Sequence, residues 1–103
     1  MYLIREIMFC KPGKVKPMLE KFKAMNEMSS KIGMPKMRVM TDFSADQYWM
    51  LVAEMEVPTL QALEDMMSKP QGSEADQKKM EELMKGYHDL VDRGRREIYK
   101  IEV

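Results

Sequence analysis

The run from Gln47 to Val57, QYWMLVAEMEV, constrains this chain more than any other stretch, because it reads as a strand with two faces that both need cover. Trp49, Leu51, Ala53, Met55 and Val57 alternate onto one apolar face. On the opposite face Tyr48, Met50 and Val52 are apolar before Glu54 and Glu56 turn it back towards water. A chain of 103 residues carries enough helix for one side of a small sheet. The second face is therefore expected to meet another copy of the protein.

The other segments follow in order. Residues 2 to 10, YLIREIMFC, form a first strand with Arg5 and Glu6 on opposite faces. Lys11, Pro12 and Gly13 punctuate the chain, and Val15, Met18, Leu19, Phe22 and Met25 then make a helical stripe. Pro17 is tolerated in the first turn, and Gly33 with Pro35 ends the helix near Ile32. Lys36 to Phe43 is a second strand, and a short turn through Ser44, Ala45 and Asp46 pairs it with the central one as a hairpin. After Pro58, Thr59 caps a short helix over Leu60 to Met67. The segment SKPQGS, residues 68 to 73, interrupts the helical pattern, and Ser73 with Asp76 starts it afresh. The stripe Met80, Leu83, Met84, Tyr87 and Val91 follows, with Gly94 as its stop and Arg95 to Val103 as a last strand.

The order β-α-β-β-α-β predicts an α+β, ferredoxin-like single domain over residues 1–103. It has a four-stranded antiparallel sheet with both helices on one face. Its open face, carrying Tyr48, Met50 and Val52, is too apolar to stay in water, so the sheet is expected to dimerise face to face into an α/β barrel. Seventeen basic residues balance seventeen acidic ones without a charged block, which argues against nucleic acid as a partner. Cys10 has no partner for an intrachain disulfide, and Arg5 and Glu6 interrupt the N-terminal apolar run. A reducing, cytoplasmic setting without a membrane span is the expectation.

Three stretches carry a resemblance to a known family: the Lys11-Pro12-Gly13-Lys14 lead-in to the first helix, the hairpin FSADQYWMLVAEME and the ending YHDLVDRGRREIYKIEV. The chain resembles the dimeric α/β-barrel superfamily, in particular the small antibiotic-biosynthesis-type monooxygenases and NIPSNAP-like proteins. The resemblance implies a pocket within each subunit, between helices and sheet. It also implies a cofactor-free, monooxygenase-like activity on an aromatic or polyketide-like small molecule, or a non-catalytic dimer that binds a small ligand or simply assembles. Haem-degrading members use an Asn on the first strand, a Trp near the end of the third and a His on the second helix. Here His88 is on that helix and Trp49 on that strand, but the first strand has no Asn and Trp49 lies near its strand's start, a departure that argues against haem chemistry.

The candidate catalytic residues are Trp49, Tyr87 and His88, with Tyr99 or Arg38 as further polar handles. His88, the only histidine, falls about 80 to 100 degrees from the centre of its helical stripe by the rotation per residue of a helix. Taken singly, core packing is the usual outcome for Trp49 and Tyr87, and a rim hydrogen bond for His88. Methionine is unusually abundant, at 14 residues. Thioethers fill irregular cores and also line permissive pockets. The spacing of Met34, Met37 and Met40 matches a thioether site for monovalent copper, but strand alternation sends Met37 and Met40 to opposite faces, so no metal site is expected. Cys10 reads as a small buried group; Arg93, Arg95 and Arg96 could meet an anionic ligand, but more often such charges complement a helix end. The SKPQGS break is a candidate lid.

Overall fold

The structure, a computed structural model, describes residues 1–69 and 72–103. Strand β1 (Tyr2–Cys10) is followed by α1 (Val15–Lys31), β2 (Arg38–Thr41), β3 (Met50–Val57), α2 (Leu60–Ser68), α3 (Glu74–Met84) and β4 (Val91–Lys100). The sheet order is β2-β3-β1-β4, with every neighbouring pair antiparallel. This is the expected ferredoxin-like β-α-β-β-α-β arrangement, its second helical unit split in two. Pro70 and Gln71, the centre of the expected lid, lie outside the described residues. No helix among the described residues is long and apolar enough to cross a membrane.

The strand alternation read from the sequence holds in register. Ile4, Met8 and Cys10 of β1 and Leu51, Ala53 and Val57 of β3 turn towards the helices. Ile7, Phe9 and Met50 cluster on the open face beside Val52. Helix α1 buries Met18, Phe22 and Ser29 along one face, at steps of four and seven residues, with Met28 buried to one side of it. At its C-terminus Gly33 adopts φ 77° and the Met34 N–H reaches back to the Ser29 carbonyl at 3.0 Å, closing the last turn. Thr59 caps α2 by accepting from the Ala62 N–H at 3.0 Å. Ser73 and Asp76 cap α3 reciprocally as a capping box.

Several boundaries differ from the sequence reading. Helix α3 stops at Met84, not at Gly94, because Gly86 takes the left-handed conformation at φ 83° and a 3-10 turn, Tyr87–Asp89, follows. Lys21 of α1 completes this stop, donating from Nζ to the carbonyls of Lys85 at 2.7 Å and Leu83 at 3.2 Å. Strand β4 consequently begins at Val91, and Gly94 lies inside it opposite Met8. Arg93, Arg95 and Arg96 are therefore mid-strand residues and complement no helix end.

The β2–β3 connection is also longer than a short turn, running from Asp42 to Trp49. Asp42 ties its two ends: its N–H donates to the Met50 carbonyl at 3.3 Å, and its Oδ1 accepts from the Met50 N–H at 2.8 Å. Trp49 adopts φ 64°, a left-handed conformation that costs a bulky residue energy and breaks the strand's alternation before it begins. Its side chain is exposed, so it does not extend the helix-facing row.

Candidate ligand cavity and the residues around it

The helix-facing core is in two pieces. One cluster joins Cys10, Met18, Phe22, Leu51 and Ala53; the other joins Ile4, Val57 and Leu63. Met25 and Met37 pack on the first, Met55 and Met66 on the second. Between them lies a cavity of about 500 Å³, bounded by α1, the α1–β2 connection, β3, α2 and α3. Seven methionines line it: Met25, Met34, Met37, Met55, Met66, Met67 and Met80.

The backbone that carries these thioethers is fixed. Asn26 of α1 holds the connection like a clamp, donating from Nδ2 to the Met37 carbonyl at 2.9 Å and accepting at Oδ1 from the Met37 N–H at 3.0 Å. This contact places Met34 and Met37 over the C-terminal half of α1. Polar groups are confined to a few lining positions. Lys69 pairs with Asp65 at 3.5 Å, and Asp76 is engaged in the Ser73 cap. Hydrogen bonds from the Ser73 backbone and hydroxyl, in that order, hold the Asp76 carboxyl below its ordinary range.

The candidate catalytic residues and polar handles do not border this cavity. Trp49 lines a separate hollow with Val15, Thr41, Asp42 and Tyr48, at the end of the sheet where its carbonyl accepts from the Cys10 N–H at 2.8 Å. Tyr87 packs on the first core cluster, and the exposed His88 ring lies against it with centroids 3.9 Å apart. His88 sits in the 3-10 turn, so the helical-wheel placement does not apply to it. Trp49 shares no lining with the Tyr87–His88 pair. Of the candidate handles, Arg38 donates to Glu54 at 2.7 Å and Tyr99 to Glu97 at 3.0 Å, both on the open face.

Met34 and Met37 do meet in the cavity, but Met40 pairs with Val52 on the opposite side of the sheet, so the three do not converge. Among the described residues no cluster of His, Cys, Asp and Glu suits a metal ion. Cys10 is buried; burial first, then the charges of Asp42 and Asp92, push its thiol above the ordinary range and keep it protonated.

The open face is organised by charge around its apolar centre. Glu54, expected to face water, is buried between Arg5 and Arg38. Arg5 Nε lies 2.8 Å from Glu54 Oε2 as a charge contact, with its N–H not aimed for a hydrogen bond. Glu97 links Arg5 at 3.4 Å to Arg95 at 3.2 Å.

Solved structures share this fold over the full chain. An antibiotic biosynthesis monooxygenase aligns with TM-score 0.69 and 14% identity, covering 100% of both chains. An uncharacterised NIPSNAP domain protein from Burkholderia xenovorans aligns with TM-score 0.70 and 10% identity, over 99% of this chain and 95% of that one. A provisionally named antibiotic biosynthesis monooxygenase from Deinococcus radiodurans gives TM-score 0.70 at 10% identity, covering 100% and 94%. At these identities the likeness is one of fold alone, the ferredoxin-like β-α-β-β-α-β arrangement. No family model matches the chain. No curated protein matches its sequence.

Proposed function

We propose that this protein binds an apolar small molecule in the methionine-lined cavity, and that two copies associate through their open sheet faces. The observation that carries the first part is the cavity itself: about 500 Å³ lies well within the range of small-ligand sites, and its wall is predominantly apolar with a few polar groups. Unbranched thioethers adapt to a bound shape and make favourable contacts with aromatic rings. An aromatic or polyketide-like molecule suits such a wall.

A second reading is turnover of that molecule by a cofactor-free, monooxygenase-like reaction. The fold likeness to proteins named antibiotic biosynthesis monooxygenases favours it. The arrangement of Trp49, Tyr87 and His88 gives it no assembled acid–base group, so binding is the stronger reading.

Titration with an apolar fluorescent dye tests both. The expected result is saturable uptake of one dye per chain, abolished by Met37→Trp, which fills the cavity. No saturable uptake would sink the binding reading. Oxygen consumption with electron-rich phenols and no added cofactor would establish turnover.

A further inference from the structure

Among the described residues nine apolar ones line the cavity, and of these all but Ile32 and Pro35 are methionine. Leucine would supply similar apolar volume and equal helix propensity at the helical positions. What leucine lacks is a sulfur that peroxide can oxidise. Met67 is the most accessible of these thioethers, 56% exposed at the end of α2, whereas Met18 in the core is at 0%.

Met67 also has a partner suited to its oxidised form. Arg96 of β4, held by an ion pair with Glu6, donates from Nη1 to the Met67 sulfur at 3.4 Å. A thioether is a weak acceptor, and a sulfoxide oxygen is a strong one. The guanidinium is already placed beside the sulfur where that oxygen would form.

We propose that the cavity is a reversible oxidation site in which hydrogen peroxide converts Met67, and then further cavity thioethers, to sulfoxides that expel the apolar ligand. In each step the peroxide O–O bond breaks and one sulfur–oxygen bond forms. The sulfur gives up two electrons, and the second peroxide oxygen leaves as water with both protons. Each new S–O dipole makes the wall polar and hydrated, which opposes apolar binding. This inference rests on reading the cavity as an apolar ligand site.

The test is graded peroxide treatment of the intact chain, followed by peptide mass mapping, dye titration and circular dichroism on the same samples. Among the cavity methionines Met67 sulfoxide should appear first, and buried Met18 and Met28 should react about tenfold slower than Met67, following their lack of exposure. Dye affinity should fall about tenfold with the helical signal unchanged, and methionine sulfoxide reductases A and B should restore it. Met67→Leu should delay the loss of dye. The proposal is overturned if Met67 reacts no faster than Met18, if the oxidised protein keeps its dye affinity, or if dye is lost only as the helical signal collapses. A reduced protein that never takes up dye would defeat the ligand reading and the release step with it, whereas dye uptake untouched by oxidation defeats this inference alone.

Discussion

The Arg93 guanidinium lies over the Phe9 ring, its central carbon 4.2 Å from the ring centroid. Arg95 approaches the same ring at 5.8 Å. Phe9 is on the open sheet face, yet these side chains help keep it 5% exposed in the single chain. The apolar centre formed with Ile7 and Met50 is thus partly covered by cations that a second copy would have to accommodate. Arg93→Ala should expose Phe9 and cost about 0.5–1 kcal/mol of stability, the worth of an exposed cation–π contact. Chemical denaturation at low protein concentration measures it.

Association through that face predicts a mass of about 24 kDa by light scattering, twice the chain's 12.1 kDa. Val52→Lys, placed beside the apolar cluster, should return the mass to that of one chain. A monomeric wild type at tens of micromolar would refute the association.

Core and cavity should respond differently to truncation. Leu51 is completely buried, so Leu51→Ala should cost about 2–5 kcal/mol, the usual range for a large-to-small core change. Met67→Leu, at a half-exposed position, should change stability by less than about 0.5 kcal/mol. Urea unfolding of the two variants gives the comparison directly.

The α3 cap should fail in acid. The Asp76 carboxyl titrates below its unfolded value, so its contribution is present above the ordinary carboxylate range and fades as pH falls through the lowered folded value. Ser73→Ala and Asp76→Asn should each remove part of that pH dependence, read by thermal melts between about pH 2 and 6. A melt profile identical to wild type in both variants would show that the box contributes nothing.

Thiol chemistry gives a further check. The Cys10 thiol is raised by burial, so its neutral form favours the folded state until pH climbs through the raised value. Labelling near pH 8 should therefore be slow and should accelerate in step with global unfolding in urea. Fast labelling of the native chain would contradict the burial.

Much of the architecture was legible because it follows from short-range rules. Alternation in residues 2 to 10 and 50 to 57 fixed the two sheet faces, and Thr59, Ser73 and Gly33 marked helix ends by their chemistry. The end of α3 was misread because Gly86 and Gly94 both qualify as stops. The choice between them depends on Lys21, 64 residues from Lys85 in sequence, whose amine satisfies the terminal carbonyls. The loop before β3 was misread because Asp42 closes the hairpin from outside the expected turn.

The site was less legible than the fold. Aromatic and imidazole groups drew attention to Trp49, Tyr87 and His88, whereas the cavity is built from methionines in five separate segments. Its one advance signal was composition, since half of the 14 methionines line it. Nothing local in Asn26 or Met37 announces the paired hydrogen bonds that bring Met34 and Met37 to the wall.

The gap between the two core clusters gives the sheet's two sides unequal tolerance to change. On the open side, burying Glu54 between two arginines demands particular partners at particular positions, so a single replacement leaves a stranded charge. On the helix side, the thioether wall asks only for flexible apolar volume. A saturation mutagenesis scan read by folding alone should find Arg5, Arg38 and Glu54 restricted and the cavity methionines freely exchanged for leucine or isoleucine. The same scan repeated under selection for ligand uptake should keep that restriction and add one against bulky or polar replacements at the cavity methionines.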